Sequence, residues 1–179
     1  MRILAIDTSC DETAVAITNG RRALSNVIYS QVLLHKKWGG VVPSIAKRAH
    51  EERIDFVVEE AIKKFQVPNS KLQTNLNDQN SKFKTIDYIA VTQGPGLAVA
   101  LEVGIKKAKE LTKKYQKKLI SVNHLEGHIY SAFVQNSQEN PKRDFKFPYL
   151  SLIISGGHTE FVVFKNHLEY QVIGETLDD

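Results

Sequence analysis

Two histidines, His124 and His128, are the side chains of this sequence whose types and spacing are best suited to chemistry. In an α-helix, residues four apart lie on the same face, one turn from each other. Neutral imidazole is a common ligand for zinc and iron, so a helical pair would hold two metal ligands at a nearly fixed separation. A bare pair at this spacing is more often an ordinary feature of a helix, so the surrounding elements must decide between the two interpretations.

The residues between the histidines disfavour a zinc peptidase. In the peptidase pattern HExxH, a glutamate directly follows the first histidine and acts as general base on a metal-bound water. Leu125 occupies that position here, and Glu126 is two residues from each histidine. On a helix, Glu126 would therefore point about 200° away from both rings.

Composition and length predict a globular cytoplasmic protein. The chain has 179 residues, 42% of them hydrophobic, which suits one domain or one and a half. A single cysteine, Cys10, excludes an intramolecular disulfide framework. The first apolar run is too soon interrupted by charge for a signal peptide, and no run approaches the length of a membrane span. We therefore expect no membrane partner.

The opening of the chain predicts a β-meander. Three apolar runs are typical of strands, at residues 2–7, 14–18 and 23–31. Asn19-Gly20, between the second and third runs, is a strong hairpin signal. The turn at residues 8–13 is small and polar and contains Asp11. Such a turn can grip a phosphate or a metal-bound phosphate, or it can be a plain polar turn, and both interpretations stay open.

The next segment predicts a long helix followed by a loop. Apolar residues recur at helical spacing over residues 44–65, with Phe56 among the inward positions. His50 lies in this helix without a second metal-type residue four positions away, so we interpret it as packed or solvent-facing. Residues 68–84 are polar and lack periodicity, which predicts an exposed loop.

Two strands then lead to the histidine pair. The first, residues 85–92, is followed by a glycine-rich turn at residues 93–96 and a helix over residues 97–114. This turn either brings backbone N–H groups close to a ligand or packs closely, and no Gly-Lys-Ser/Thr follows to make it a P-loop. The second strand, residues 119–122, runs directly into the histidines. Open α/β sheets place ligand sites at the carboxyl ends of strands, so metal binding becomes the favoured interpretation.

The last part of the chain repeats the opening pattern. A hydrophilic stretch, residues 136–147, predicts a boundary between lobes. Three further strands are predicted, at residues 148–154, 160–164 and 168–174. Ser155-Gly156-Gly157-His158-Thr159 separates the first two, and its glycines would allow a nucleotide to approach the backbone. Two such units predict duplicated lobes that face one nucleotide, in which His158 either donates to a phosphate or only flanks the turn.

The lysines are concentrated in one segment. The net charge is only +4, yet seven lysines lie close together: Lys106, Lys107, Lys109, Lys113, Lys114, Lys117 and Lys118. Such a run is usually a solvated helix face, and binding of RNA is the alternative.

Five motifs together resemble the TsaD family. They are IDTSCDET at residues 6–13, GGVVP at 39–43 with RAH at 48–50, GPGL at 94–97, NHLEGH at 123–128 and SGGHT at 155–159. The resemblance implies an α/β protein of the actin, sugar-kinase and heat-shock ATPase fold. Residues 1–135 would form the first lobe, residues 136–147 a linker, and residues 148–179 the opening β-meander of an incomplete second lobe.

The resemblance also implies an activity and its site. Family members, formerly labelled O-sialoglycoprotein endopeptidases or glycoproteases, are acyltransferases that move threonylcarbamoyl from threonylcarbamoyl-adenylate to N6 of adenosine 37 in tRNAs reading codons that begin with A. His124 and His128 would hold one divalent ion, iron or zinc. Ser155, Gly156, Gly157, His158 and Thr159 would hold the adenylate, and Asp11 and Glu12 would assist catalysis. The implied partners are tRNA, threonylcarbamoyl-adenylate or ATP, and TsaB-like and TsaE-like proteins.

Alternatives of other classes differ in what they require. A small-molecule kinase or ATPase of the same fold would not need the histidine pair, and an inactive TsaB-type scaffold subunit would lack both the pair and the SGGHT turn. The resemblance implies a longer second lobe with a further metal-ligating aspartate. We therefore expect an exposed apolar sheet face, weak metal binding and poor transfer by this chain alone, and we ask whether its reading frame continues past Asp179.

Overall fold

A computed structural model describes residues 1–65, 79–136, 138–154 and 159–176. Within this part, the chain forms a five-stranded sheet flanked by helices, followed by a three-stranded sheet. The described helices include none that is long and apolar enough to cross a lipid bilayer.

The five-stranded sheet brings three parallel strands together at its centre and one edge. Its strands are β1 (Arg2–Asp7), β2 (Glu12–Asn19), β3 (Arg22–Ser30), β4 (Tyr88–Gly94) and β5 (Lys118–Asn123), in the order β3-β2-β1-β4-β5. β1 pairs in parallel with β4, and β4 pairs in parallel with β5, while β2 and β3 form the predicted antiparallel hairpin. The carboxyl ends of β1, β4 and β5 therefore meet at one edge of the sheet.

Five helices complete this part of the chain. They are α1 (Val32–His35), α2 (Pro43–Lys64), α3 (Gln79–Lys84), α4 (Ala98–Tyr115) and α5 (His124–Ser131), with a 3₁₀ turn at Lys36–Trp38 after α1. α2 starts with Pro43 in its first turn, where the missing N–H costs no hydrogen bond. Apolar residues three or four apart then turn one stripe of α2 toward the sheet.

The main core lies between the sheet and the helices α2 and α4. It includes Leu4 and Ile6 of β1, Ile17 of β2, Ile62 of α2 and Leu111 of α4, each at most 7% exposed. Full burial of one such side chain contributes about 1.5–3 kcal/mol to folding. Because β1 is packed on this face and paired on both edges, its last residue, Asp7, is held at a well-defined position.

Some local predictions were wrong. The loop predicted over residues 68–84 ends in α3, because Phe83 is buried and stacks on Tyr115 of α4 with 4.0 Å between ring centroids. The rest of that loop, residues 68–78, lies outside the described residues. Phe56, predicted to face inward, is 55% exposed. The short helix α1 and the 3₁₀ turn after it were not predicted.

The second sheet is the predicted meander. Its strands are β6 (Tyr149–Ile154), β7 (Thr159–Asn166) and β8 (Glu169–Glu175), paired antiparallel in that order. One face buries Ile153, Val162 and Phe164 against Ile129 of α5. The other face leaves Leu152 and Phe161, which lie opposite each other, 51% and 43% exposed. An exposed apolar face on this sheet was predicted, and it is present.

Candidate functional site

The start of α5 is set by Asn123, the last residue of β5. Its side-chain oxygen accepts hydrogen bonds from the backbone N–H groups of Leu125, at 2.9 Å, and Glu126, at 3.3 Å. A side-chain acceptor of this kind satisfies N–H groups that have no partner inside the helix, typically contributing about 1 kcal/mol. The cap makes His124 the first residue of the helix and puts His128 one turn later.

The two histidines converge. Nε2 of His124 and Nε2 of His128 are 2.9 Å apart, and the ring centroids are separated by 4.4 Å. The rings meet edge to face, with 75° between their planes, rather than in a parallel stack. Two nitrogens that share a zinc ion at the usual distance of about 2.0–2.1 Å lie about 3 Å from each other, so the pair fits as two ligands of one ion.

The pair alone does not complete a metal site. Among the residues that the structure describes, no cluster of three or more histidine, cysteine, aspartate and glutamate side chains is arranged to hold an ion. Two neutral imidazoles suit zinc or iron chemically, yet structural and catalytic sites of these metals use at least three protein ligands.

Asp7 contacts the first histidine from the end of β1. Its Oδ2 is 3.2 Å from Nδ1 of His124, and its Oδ1 accepts a hydrogen bond of 2.7 Å from the backbone N–H of Ser9. An ionised carboxylate can only accept, so Nδ1 of His124 is the donor in this contact. Burial alone would raise the pKa of Asp7, but hydrogen bonds from His124 and Ser9 outweigh it and hold that pKa below its ordinary value.

The turn between β1 and β2 approaches the histidines. The Ser9 hydroxyl is 3.5 Å from Nε2 of His124, on the same side of the ring as His128. Asp11 lies at the end of this turn, and Glu12 is the first residue of β2. The structure therefore brings the predicted catalytic turn to the histidine pair through Ser9, whereas the roles of Asp11 and Glu12 stay predictions.

Three other segments hold this turn by its backbone carbonyls. The carbonyl of Ser9 accepts from the N–H of Leu97 at 2.8 Å, and that of Asp11 accepts from the N–H of Gln31 at 2.8 Å. The carbonyl of Cys10 accepts from Nε2 of His50 at 3.0 Å. The turn is thus fixed by hydrogen bonds from α2, the start of α1 and the start of α4, which gives it a single conformation beside the histidines.

His50 is a packed residue, as interpreted from the sequence. It is fully buried, and its Nδ1 lies 2.7 Å from the hydroxyl of Thr13, which is also fully buried. Because Nε2 donates to a carbonyl, Nδ1 must be the acceptor in the neutral ring. His50 therefore supports the turn that carries Cys10 and Asp11 and does not act as a ligand.

The glycine-rich turn packs closely against the same backbone. Gly96 has φ of +150°, and a Cβ at this position would lie 2.5 Å from the carbonyl oxygen of Ser9. Only glycine permits both the conformation and the approach. Of the two interpretations of this turn, close packing is the one that the geometry supports.

Cys10 does not have the surroundings of a nucleophile. Its thiol has its pKa raised, first by burial and then by the carboxylate of Asp11. A reactive cysteine needs the opposite shift, because the thiolate is the attacking species.

Glu126 lies near Tyr170 of the second sheet. Burial and the carboxylate of Glu126 both raise the pKa of Tyr170 on β8, so Glu126 lies beside that tyrosine. This position agrees with the argument from helical spacing against a peptidase.

The predicted adenylate site is described only at its end. Ser155, Gly156, Gly157 and His158 lie outside the described residues. Thr159 is the first residue of β7, and its N–H donates to the hydroxyl of Thr176 at 3.1 Å. The substrate-binding role of these five residues stays a prediction.

Sequence reasoning missed three residues of the site: Asp7, Ser9 and Asn123. Asp7 and Asn123 are each the last residue of a strand whose carboxyl end was expected to face a ligand, and that position was the available signal. Nothing in the spacing alone indicated that Asp7 contacts His124, because 117 residues separate them.

Comparison with known proteins agrees with the motifs. The family model of TsaD, tRNA N6-adenosine threonylcarbamoyltransferase, matches residues 22–179. A curated relative of that name from Staphylococcus saprophyticus is 49% identical over 178 residues, and one from Clostridium kluyveri is 47% identical over 180 residues. These alignments cover 99% and 100% of this chain but 46% and 47% of the relatives, so the chain spans about half their length.

A solved structure supports the fold. YeaZ from Pseudomonas aeruginosa superposes with a TM-score of 0.55 and 18% sequence identity, covering 98% of this chain and 68% of YeaZ. At this identity the likeness bears on the fold alone, and it agrees with the predicted actin-like ATPase fold. On the family match and the identity of its relatives, the chain belongs to the TsaD family of tRNA N6-adenosine threonylcarbamoyltransferases.

Proposed function

We propose that this chain is part of an enzyme that transfers threonylcarbamoyl from threonylcarbamoyl-adenylate to N6 of adenosine 37 in tRNAs reading codons that begin with A. Family membership supports the reaction class. The observation that carries the proposal is the 2.9 Å approach of Nε2 of His124 and Nε2 of His128 at the carboxyl end of β5. A small-molecule kinase of the same fold has no use for such a pair.

The pair would hold one divalent ion, iron or zinc. Nitrogen donors suit both metals, and Nε2 of His124 lies 2.9 Å from Nε2 of His128. A bound ion supplies Lewis acidity, which polarises a carbonyl oxygen and favours attack on its carbon. Further ligands would come from elsewhere, and the family resemblance implies an aspartate of the second lobe.

The reaction forms one bond and breaks another. The N6 amine of adenosine attacks the carbamoyl carbon, the bond between that carbon and the phosphate oxygen breaks, AMP leaves, and N6 loses a proton. Asp11, on the turn beside His124, and Glu12, which begins β2, are the carboxylates that would assist this proton transfer. Residues 155–159 would hold the adenylate, with glycine backbone close to the phosphate.

The proposal includes partners and a compartment. We infer that the protein works in the cytoplasm on tRNA and an ATP-derived adenylate, together with TsaB-like and TsaE-like proteins, as the family resemblance implies.

The test measures two quantities in the same variants: zinc bound per chain, and threonylcarbamoyl-adenosine formed on tRNA in the presence of the partner proteins. His124→Ala should lower both, with a loss of zinc affinity of about tenfold or more, because it removes one of two ligands. His167→Ala, which removes an exposed histidine outside the pair, is the matched control and should leave both unchanged. The proposal would be contradicted if His124→Ala left zinc binding or product formation unchanged. It would also be contradicted if the protein consumed ATP only in the presence of a small-molecule acceptor.

A further inference from the structure

We propose that Asp7 is the positioning residue of the histidine pair: its carboxylate holds the ring of His124 in the tautomer and orientation in which Nε2 faces His128 and an ion. The inference rests on the proposed metal site and extends it to a residue that the motif spacing did not single out. The contact on which it depends is the 3.2 Å approach of Oδ2 of Asp7 to Nδ1 of His124.

The position of Asp7 separates this role from that of a ligand. Its carboxylate meets the Nδ1 side of the ring, while His128 and Ser9 lie at the Nε2 side. An imidazole that binds an ion through one nitrogen needs a partner for the N–H on the other, and a carboxylate there also increases the basicity of the ligating nitrogen. Asp7 thus acts on an ion only through His124.

Both ends of this contact are on rigid elements. β1 is an inner strand, and Asp7 itself is paired with Ala14 of β2. His124 follows the Asn123 cap, which fixes the first turn of α5. The hydrogen bond therefore links the end of an inner strand to the start of the histidine helix, so the ring cannot easily rotate about its Cβ–Cγ bond while the contact persists.

An aspartate satisfies two donors here that an asparagine cannot. Oδ1 accepts from the N–H of Ser9, and Oδ2 accepts from Nδ1–H of His124. An amide has one oxygen, and its nitrogen would point a second donor at one of these two N–H groups. Asp7→Asn is therefore nearly the same shape but cannot make both hydrogen bonds.

The chain offers a matched control. Asp87 accepts a hydrogen bond of 2.7 Å from the backbone N–H of Arg2, at the opposite end of β1 from Asp7. Asp87→Asn makes the same chemical change to an aspartate that supports the same strand. It should leave the histidine pair as it is in the parent.

The first measurement is the affinity of the protein for zinc and for cobalt. Bound cobalt absorbs visible light, and its spectrum reports the nitrogen ligands. We expect Asp7→Asn to bind about 10–100-fold more weakly than the parent, and Asp87→Asn to bind like the parent. The second measurement is the ¹⁵N chemical shifts of the His124 ring without metal. The parent should show a proton on Nδ1, and Asp7→Asn should show a mixture of the two tautomers.

The outcomes separate this inference from the metal site on which it rests. If His124→Ala and His128→Ala leave zinc affinity unchanged, the metal site is wrong and Asp7 has no ion to serve. If those variants weaken binding but Asp7→Asn does not, only the positioning role is overturned. An unchanged His124 tautomer in folded Asp7→Asn would also overturn it, and this readout needs neither metal nor activity.

Discussion

His50 of α2 contacts the Cys10 carbonyl through Nε2 and the Thr13 hydroxyl through Nδ1, so both of its ring nitrogens have a partner near the turn between β1 and β2. Burial lowers the pKa of His50, and nearby His35 acts in the same direction. The Cys10 carbonyl and the carboxylates of Asp7 and Asp11 act to raise this pKa, but burial outweighs them. The folded protein therefore takes up a proton on His50 only at a pH below that at which an unfolded chain does.

The stability contributed by His50 should depend on pH. Its lowered pKa means that the contribution is fully present above about pH 6.5, the ordinary value for histidine, and is lost as the pH falls below it. At about pH 7.5, His50→Gln should lower the free energy of unfolding by about 1–3 kcal/mol, because buried partners lose their hydrogen bonds. The difference between parent and variant should shrink by up to about 1.4 kcal/mol per pH unit on acidification.

Denaturant unfolding at several values of pH between about 5 and 7.5 measures this difference. His167→Gln controls for the loss of a histidine that packs against aromatic rings, Tyr130, Phe145 and Phe147, and not between a buried hydroxyl and a carbonyl. A gap between parent and His50→Gln that stays constant over the whole range would mean that His50 is not held neutral by the fold.

The helix α4 contacts the turn between β1 and β2 through Gly104. The hydroxyl of Thr8 donates to the carbonyl of Ala100 at 2.8 Å and accepts from the N–H of Gly104 at 3.2 Å. A Cβ on Gly104 would lie 2.5 Å from that hydroxyl oxygen. The absence of a side chain at this position lets the helix approach the end of β1 closely enough to make both hydrogen bonds.

Two glycines in helices should respond oppositely to alanine. Gly104→Ala should lower the free energy of unfolding by about 1–3 kcal/mol, because the methyl group displaces Thr8. In α5, a Cβ on Gly127 has no atom within 4 Å, so Gly127→Ala should be neutral or stabilising by up to about 1 kcal/mol through helix propensity. Denaturant unfolding of both variants measures the contrast.

The cause of the Gly104 effect can be isolated with a double variant. Thr8→Ala removes the hydroxyl that the new methyl group would meet, so Gly104→Ala should cost less in the Thr8→Ala background than in the parent. Equal costs in the two backgrounds would show that the destabilisation does not arise from this contact.

Over the whole molecule, the lysine-rich segment divides into a packed part and an exposed part. Lys107 is a residue of α4 whose side chain reaches toward α2. Its Nζ is 2.6 Å from Asp55 of α2 and 2.9 Å from Glu110 of α4. Burial would lower its pKa, but these two carboxylates outweigh burial and raise it. Lys107 therefore belongs to the α2–α4 contact, which corrects the interpretation of the run as one uniformly solvated face. Lys113, Lys114 and Lys118 are exposed.

The exposed lysines lie at the far end of β5 from the histidines. Lys118 begins this strand and His124 follows it, and six strand residues extend about 20 Å. A polyanion as large as tRNA can reach both places at once. We expect Lys113→Glu, Lys114→Glu and Lys118→Glu together to weaken tRNA binding. The log–log slope of affinity against salt should become shallower by up to about 0.9 for each phosphate that the variant no longer neutralises.

Titration of tRNA at several salt concentrations tests this expectation. The control reverses three exposed lysines outside this segment, in the linker and on β7, so that the net charge changes equally: Lys142, Lys146 and Lys165. If both triple variants show the same reduction in affinity, general charge rather than a lysine surface at β5 explains binding.

The sequence by itself determined much of the local structure. The meander at residues 2–31 followed from alternation and the Asn19-Gly20 turn, and the shared face of His124 and His128 followed from helical periodicity. The combination of five motifs indicated the family, because the motifs follow one another in the same order as in TsaD proteins. These features depend on neighbours within a few residues, which a single sequence contains in full.

Only the tertiary structure decided what surrounds the histidines. Asp7 and Ser9 contact His124 across more than a hundred residues, and His50 reaches Cys10 from another helix. The order β3-β2-β1-β4-β5 brings the ends of β1 and β5 near each other, with β4 between them. Phe83 stabilises the helix α3 by packing on Tyr115. Such contacts arise from how strands and helices pack, and the burial that drives packing is non-directional, so residue spacing does not encode them.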